Sequence, residues 1–94
     1  PSIDVLFSSA ARNWPYKGYA ALLTGMGEDG AKGMCDLYEA GRVTIAESKE
    51  SCAVFGMPKA AIDKGVATHI LPADEIGRNL IKWHRDRYAG RTAL

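Results

Sequence analysis

Six consecutive residues in the first third of the chain combine glycines with acids, and such a segment could do chemistry. Gly25–Gly30 has glycine at its first, third and sixth positions, with Glu28 and Asp29 between the last two. An apolar run precedes it and a helical pattern follows it, as in the ligand-binding turns of α/β proteins. Glycine lets backbone N–H groups approach a ligand closely, and carboxylates accept hydrogen bonds.

Two chemical interpretations of this turn are open. The glycine spacing matches the dinucleotide fingerprint, and Glu47 follows about 20 residues later, where that fingerprint places an acid for the ribose. Glu28 and Asp29 would, however, repel the pyrophosphate that the fingerprint binds. A nucleotide-binding α/β module that uses turn 25–30 is therefore the alternative function.

The second interpretation is hydrolytic. An aspartate at the carboxyl end of a strand can accept a hydrogen bond from a histidine and stabilise the imidazolium formed during acyl transfer. A backbone N–H at the start of the following helix can stabilise an oxyanion. Asp29 also has a purely structural interpretation, as the N-cap of a helix over residues 31–40. The residue pattern alone leaves these possibilities open.

Several strings of the chain resemble one protein family. The most specific is Leu-Thr-Gly-Met-Gly-Glu-Asp-Gly-Ala at residues 23–31, and the others lie within residues 1–11, 40–46, 54–62 and 71–76. They are similar to the chemotaxis protein-glutamate methylesterases (CheB). The resemblance covers residues 1–80, whereas residues 81–94 lie outside it.

The resemblance implies a catalytic domain that usually follows a phosphorylatable receiver domain in a two-component phosphorelay. It implies hydrolysis of glutamate methyl esters on bacterial chemoreceptors, and deamidation of some receptor glutamines, by a Ser-His-Asp triad. Asp29 occupies the position of the triad aspartate, and Met26 occupies the position that offers a backbone N–H to the oxyanion. Gly25, Gly27 and Gly30 form the turn around them.

The same resemblance implies that this chain is incomplete as a catalyst. The family's serine and histidine lie upstream, in a half of the domain that these 94 residues do not contain. None of the serines here stands in a nucleophile-elbow string. We therefore expect the chain to be inactive alone and to need the upstream half of the domain as its partner.

The hydrophobic periodicity predicts the element order α-β-α-β-α-β-α. The predicted strands are 19–23, 43–46 and 68–71, and the helices begin near residues 2, 31, 57 and 74. The last helix is expected to end near Tyr88, with a frayed end. Strands alternating with helices indicate a parallel sheet, and three strands behind a leading helix indicate the C-terminal part of a larger doubly wound domain. We assign residues 1–80 to that domain and residues 81–94 to a basic helical tail.

The remaining candidates receive structural interpretations. The first strand, an unbroken apolar run, is expected to be buried on both faces. His69 stands in an apolar strand and is expected to be a buried, hydrogen-bonded histidine. Cys52 has no histidine nearby in sequence and is expected to be a small buried thiol. Pro58 is expected at the first position of its helix.

Length, charge and cysteine spacing limit which other functions the chain could have. With 94 residues and a formal charge of +1, the chain is one small domain or a piece of one, with no general attraction for nucleic acid. After residue 76, five basic residues stand against one acid, which indicates either a solvated helix face or a non-catalytic docking module for an anionic partner. The spacing of Cys35 and Cys52 suggests neither a metal nor another cofactor, and free thiols indicate a reducing, cytoplasmic location. No apolar run is long enough to insert into a membrane.

Overall fold

Helices and strands alternate in the computed structural model, which describes residues 3–13, 18–25 and 29–92, with side chains as far as residue 86. The elements are α1 (Ile3–Asn13), β1 (Tyr19–Leu22), α2 (Ala31–Glu39), β2 (Val43–Glu47), α3 (Gly56–Asp63), β3 (His69–Leu71) and α4 (Ala73–Thr92), with a short 3-10 helix at Lys49–Ser51. The predicted order and the α/β class are confirmed.

The three strands form one parallel sheet in the order β1-β2-β3. Ala21 pairs with Ile45, and Ile45 pairs with His69, so these three residues share one face of the sheet. Because all strands run in the same direction, their carboxyl ends meet at one edge and their amino ends at the other. We call these the carboxyl edge and the amino edge.

Helices cover both faces of the sheet. On one face, Leu22 packs in a buried cluster with Met34 of α2, Ala61 of α3 and Val66. On the other face, Trp83 of α4 stacks on Tyr19 with ring centroids 5.7 Å apart and lies 4.7 Å from the His69 ring. Helices on both faces of a parallel sheet are the doubly wound arrangement that the sequence predicts.

Glycines set two features of the helix packing. A Cβ at Gly33 would lie 2.5 Å from the Cβ of Phe7 and 2.9 Å from the carbonyl oxygen of Asp4, so only glycine lets α1 lie this close to α2. Gly41 ends α2 with φ +79°, and the Arg42 N–H donates to the Leu37 carbonyl at 3.0 Å. This Schellman motif turns the chain into β2.

Two burial predictions are wrong for a common reason. In β1, Leu22 is the one buried residue, and Tyr19 is 36% exposed, so this strand is not buried on both faces. His69 is exposed, with its ring against Trp83, and is not a buried histidine. Both β1 and β3 are outer strands of the described sheet, and an outer strand lacks a neighbour on one side.

Two boundaries also differ from the sequence prediction. Pro58 is the third residue of α3, where its missing N–H still falls among the amides that have no partner within the helix. The last helix continues past Tyr88 to Thr92. Residue 80 lies inside α4, so the helix carries no break where residues 1–80 are divided from 81–94, and that division stays a prediction.

Candidate active site

The glycine turn begins at the carboxyl edge, directly after β1, and its first residue is tied to a distant segment. The Gly25 N–H donates to the Val54 carbonyl at 2.8 Å, and the Gly25 carbonyl accepts the Met57 N–H at 3.0 Å. Gly25 thereby forms a parallel bridge with Phe55, just before α3. The main chain is thus fixed where it enters the turn.

Asp29 lies at the far end of the turn, and its carboxylate binds the first turn of α1. Oδ2 accepts the Ile3 N–H and Oδ1 accepts the Asp4 N–H, each at 3.1 Å. The alternative interpretation of Asp29 as the N-cap of its own helix is not supported, because the N-cap of α2 is Gly30. Asp29 instead satisfies the amides of a helix about 25 residues earlier in the chain.

Asp4 makes the reciprocal contact, from α1 to the start of α2. Its Oδ1 accepts the Gly30 N–H at 3.0 Å and the Gly33 N–H at 2.8 Å, in the first turn of α2. Each helix therefore places an anion at the N-terminus of the other, where the partial positive charge of the helix stabilises it. Sequence reasoning missed this role of Asp4, because nothing within the first turn of α1 indicates which amides its carboxylate will bind.

The reciprocal caps weigh against nucleotide binding. The amides of Gly30 and Gly33, which a pyrophosphate would use, already bind Asp4. Glu47, the acid at the ribose position of the fingerprint, is 3% exposed. Its two oxygens accept the Thr24 N–H at 2.8 Å and the Ser51 hydroxyl at 2.6 Å. The alternative interpretation of turn 25–30 is not supported.

The cysteines have the character of inert thiols. Burial and the neighbouring Glu47 carboxylate raise the pKa of the Cys52 thiol, and burial together with Glu39 raises the pKa of the Cys35 thiol. A raised pKa keeps a thiol protonated at neutral pH and therefore a poor nucleophile. The half-buried Cys52 accordingly keeps its structural interpretation.

Ser8 and His69 make packing contacts, and Met26 is not among the described residues. Ser8 of α1 donates its hydroxyl to Asp36 of α2 at 2.6 Å, which is a helix–helix contact. His69 lies on the sheet face that α4 covers. Met26 and Gly27 lie outside the described residues, so the Met26 N–H as oxyanion donor stays a prediction. Asp29, Gly25 and Gly30 are the predicted site residues that the structure describes.

The described residues contain neither a metal-ligand cluster nor a membrane-spanning helix. Across 3–13, 18–25 and 29–92, no group of three or more His, Cys, Asp and Glu side chains could hold a metal ion. Within the same ranges, no helix has both the length and the apolar character needed to cross a membrane.

A parallel sheet covered on both faces, with an acidic glycine turn at its carboxyl edge, is characteristic of a doubly wound α/β catalytic domain. Residues 1–80 match the family described as CheB methylesterase. The chain also superposes on the crystal structure of the Thermotoga maritima CheB methylesterase catalytic domain with a TM-score of 0.83 and 44% identity. That match covers 88% of this chain and 44% of the solved one. The chain belongs to the CheB methylesterase family.

Curated relatives extend the comparison. A Mesorhizobium japonicum protein-glutamate methylesterase/protein-glutamine glutaminase is 51% identical over 82 residues, which is 87% of this chain and 24% of the relative. A Bradyrhizobium diazoefficiens protein of the same name, of the group 3 operon, is 42% identical over 94 residues, 100% of this chain and 25% of the relative. The chain thus spans about a quarter of these relatives. The latter alignment includes residues 81–94, whereas the family match ends at residue 80.

Proposed function

We propose that this chain is the C-terminal part of a cytoplasmic protein-glutamate methylesterase that also deamidates glutamine, with chemoreceptors as its substrates. The names of the relatives support the two reactions, which differ in whether methanol or ammonia leaves the γ-carbonyl. Both are acyl transfers to water. They need a nucleophile, a base, a group that orients the base, and an oxyanion site.

In this proposal Asp29 orients the base. A serine of the upstream half attacks the γ-carbonyl, and a histidine of that half takes the serine proton and later returns it to the leaving group. Asp29 accepts the other ring N–H of the histidine, fixes its tautomer and stabilises the imidazolium. Water then releases the glutamate by the reverse steps.

The observation that best supports this role is the anchoring of Asp29. Its two carboxylate oxygens accept amides from the first turn of α1, at the edge of the sheet where doubly wound enzymes hold their sites. A carboxylate fixed by backbone amides has one orientation, and such preorganisation is what a triad acid needs. Helix α1 would therefore act as part of the active site.

The turn itself would supply the oxyanion site. Gly25 is held through both its N–H and its carbonyl, and Met26 follows it directly. A Cβ at Gly25 would meet the end of the Met57 side chain, so glycine leaves room for that side chain. The Met26 N–H would point at the developing negative charge of the tetrahedral intermediate.

The upstream half would complete the site and the sheet. β1 has β2 as its one neighbour within the described sheet, so a strand from that half can add to its outer side. A receiver domain in the parent protein would regulate access through phosphorylation. Neither nucleic acid nor membrane insertion enters this proposal.

The test is methanol release from a methylated chemoreceptor, with ammonia release from a glutaminyl receptor as the second readout. The complete parent protein should release both, and the 94-residue chain alone should release neither. Adding the upstream half in trans should restore methanol release if the two halves associate. Hydrolysis by the isolated chain would overturn the proposal, because serine and histidine would then have to come from groups engaged in helix and sheet packing.

A further inference from the structure

The mechanism proposed for Asp29 leaves one buried acid without a role. Glu47 ends β2 at the carboxyl edge and is 3% exposed. Burying a carboxylate is costly unless hydrogen bonds replace its water. Here the Thr24 N–H donates to Oε1 at 2.8 Å and the Ser51 hydroxyl donates to Oε2 at 2.6 Å. Both donors are neutral, so the carboxylate acts as a double acceptor and not as half of an ion pair with either.

Thr24 is the residue through which Glu47 reaches the glycine turn. Besides its N–H bond to Glu47, its hydroxyl donates to the Val54 carbonyl at 3.0 Å and accepts the Val54 N–H at 2.8 Å. Gly25 then donates its own N–H to the same Val54 carbonyl. Two consecutive residues before Met26 are therefore held by directed hydrogen bonds, and the first of these bonds ends on Glu47.

Ser51 extends the network to the next helix. Its Oγ accepts the Ala73 N–H at 3.0 Å, while its hydroxyl donates a hydrogen bond to Glu47. Ala73 is the first residue of α4, so one carboxylate links the turn after β1, the 3-10 helix after β2 and the helix after β3. All three segments leave the carboxyl edge of the sheet.

We propose that Glu47 is a positioning residue for the oxyanion-binding turn, an inference that rests on the proposed function. Its Oε1 holds Thr24, both Thr24 and Gly25 are bonded to Val54, and Met26 directly follows Gly25 in the chain. A misplacement of about 1 Å at a reacting group costs about 100-fold in rate. Loss of the acceptor should therefore lower kcat and leave substrate binding almost unchanged.

Three substitutions in the complete parent protein separate acceptor geometry from charge. Glu47→Gln keeps the chain length and one oxygen for Thr24, and its amide can donate to Ser51. Glu47→Asp keeps the charge but withdraws the carboxylate by one methylene. Glu47→Ala removes the acceptor. We expect kcat within about threefold of wild type for Gln and about 10–100-fold lower for Asp and Ala, with KM within about twofold.

A matched control removes a buried hydrogen bond from the same strand without touching the turn. The Thr44 hydroxyl donates to the Val66 carbonyl, and Thr44 is 0% exposed. Thr44→Val should destabilise the protein and leave kcat unchanged. Amide hydrogen exchange at Thr24 and Gly25 should quicken in Glu47→Asp and not in Thr44→Val, because only the former loosens the turn.

The outcomes distinguish the positioning role of Glu47 from the proposed function itself. If the wild type hydrolyses methylated receptor and Glu47→Asp keeps its kcat, the positioning role is wrong and the proposed function stands. The positioning role is equally wrong if Asp is tolerated better than Gln, since that ranking indicates a charge effect. If the folded wild type is inactive, the proposed function fails and the inference fails with it. Glu47→Asp serves in place of Glu47→Ala if the alanine variant does not fold.

Discussion

The two edges of this small sheet are built from different interactions. At the carboxyl edge, Asp29 and Glu47 accept backbone amides and a hydroxyl in directed bonds of 2.6–3.1 Å. At the amino edge, the Trp83 ring lies against the rings of Tyr19 and His69 beside an open cavity of about 430 Å³. Hydrogen bonds fix angles and distances, whereas apolar contacts mainly remove surface from water. The carboxyl edge should therefore control rate, and the amino edge should control stability.

The largest effect is expected from Asp29→Asn in the complete protein. Asparagine presents an amide where the imidazole N–H needs an acceptor, so the base loses its orientation and its charge stabilisation. We predict a fall in kcat of about 10³–10⁴-fold, measured as methanol release. The unfolding free energy should fall by only about 1–2 kcal/mol, because asparagine keeps one of the two oxygens that accept the amides of α1. Near wild-type turnover would remove Asp29 from the mechanism and leave it as the cap of α1.

At the amino edge, Trp83→Ala should lower stability and leave kcat almost unchanged. The half-buried indole stacks on Tyr19 and contacts His69, so its removal should lower the free energy of unfolding by about 2–3 kcal/mol. Below the melting transition, kcat should stay within about twofold. Ile81→Ala on the same helix is the control, because Ile81 is 61% exposed and should change stability by less than about 0.5 kcal/mol. A tenfold loss of kcat in Trp83→Ala with unchanged urea denaturation would contradict the view that the amino edge controls stability and the carboxyl edge controls rate.

Asp4→Ala should have a mixed effect, because Asp4 joins helix capping to the site. The Gly30 and Gly33 amides would lose their acceptor, at a cost of about 1–2 kcal/mol in unfolding free energy. The loosened contact of α1 with α2 should also let Asp29 move, with a loss in kcat of about tenfold. Asp74→Ala, which removes an exposed pair with Arg78, should change neither quantity. A stability loss without any loss of kcat would mean that α1 does not hold Asp29 in its active position.

The sequence predicted the elements better than the contacts between them. The order of strands and helices follows from local periodicity, which a single segment carries. The wrong predictions for His69 and for β1 depend on which strands lie outermost, which no strand's own sequence reveals. The hydrogen-bond partners of Asp29 are about 25 residues away in the chain. The sequence singled out Glu47 for a dinucleotide fingerprint, whereas in the structure it accepts the Thr24 N–H. These pairings are products of the folded sheet and helices.

The smallest effect is expected for Met26→Ala. The group proposed to bind the oxyanion is its backbone N–H, which alanine retains, and Gly25 is held through Val54 and Met57. Met26→Ala should therefore leave kcat within about threefold, far from the loss expected for Asp29→Asn. Met26→Pro removes the N–H and is the informative partner, with an expected loss of about 100–1,000-fold in kcat, the effect of deleting one oxyanion donor. Circular dichroism and denaturation of both variants would establish that they fold. If alanine and proline reduce kcat equally in folded protein, the Met26 side chain is the functional group, and the carboxyl edge acts through more than its backbone.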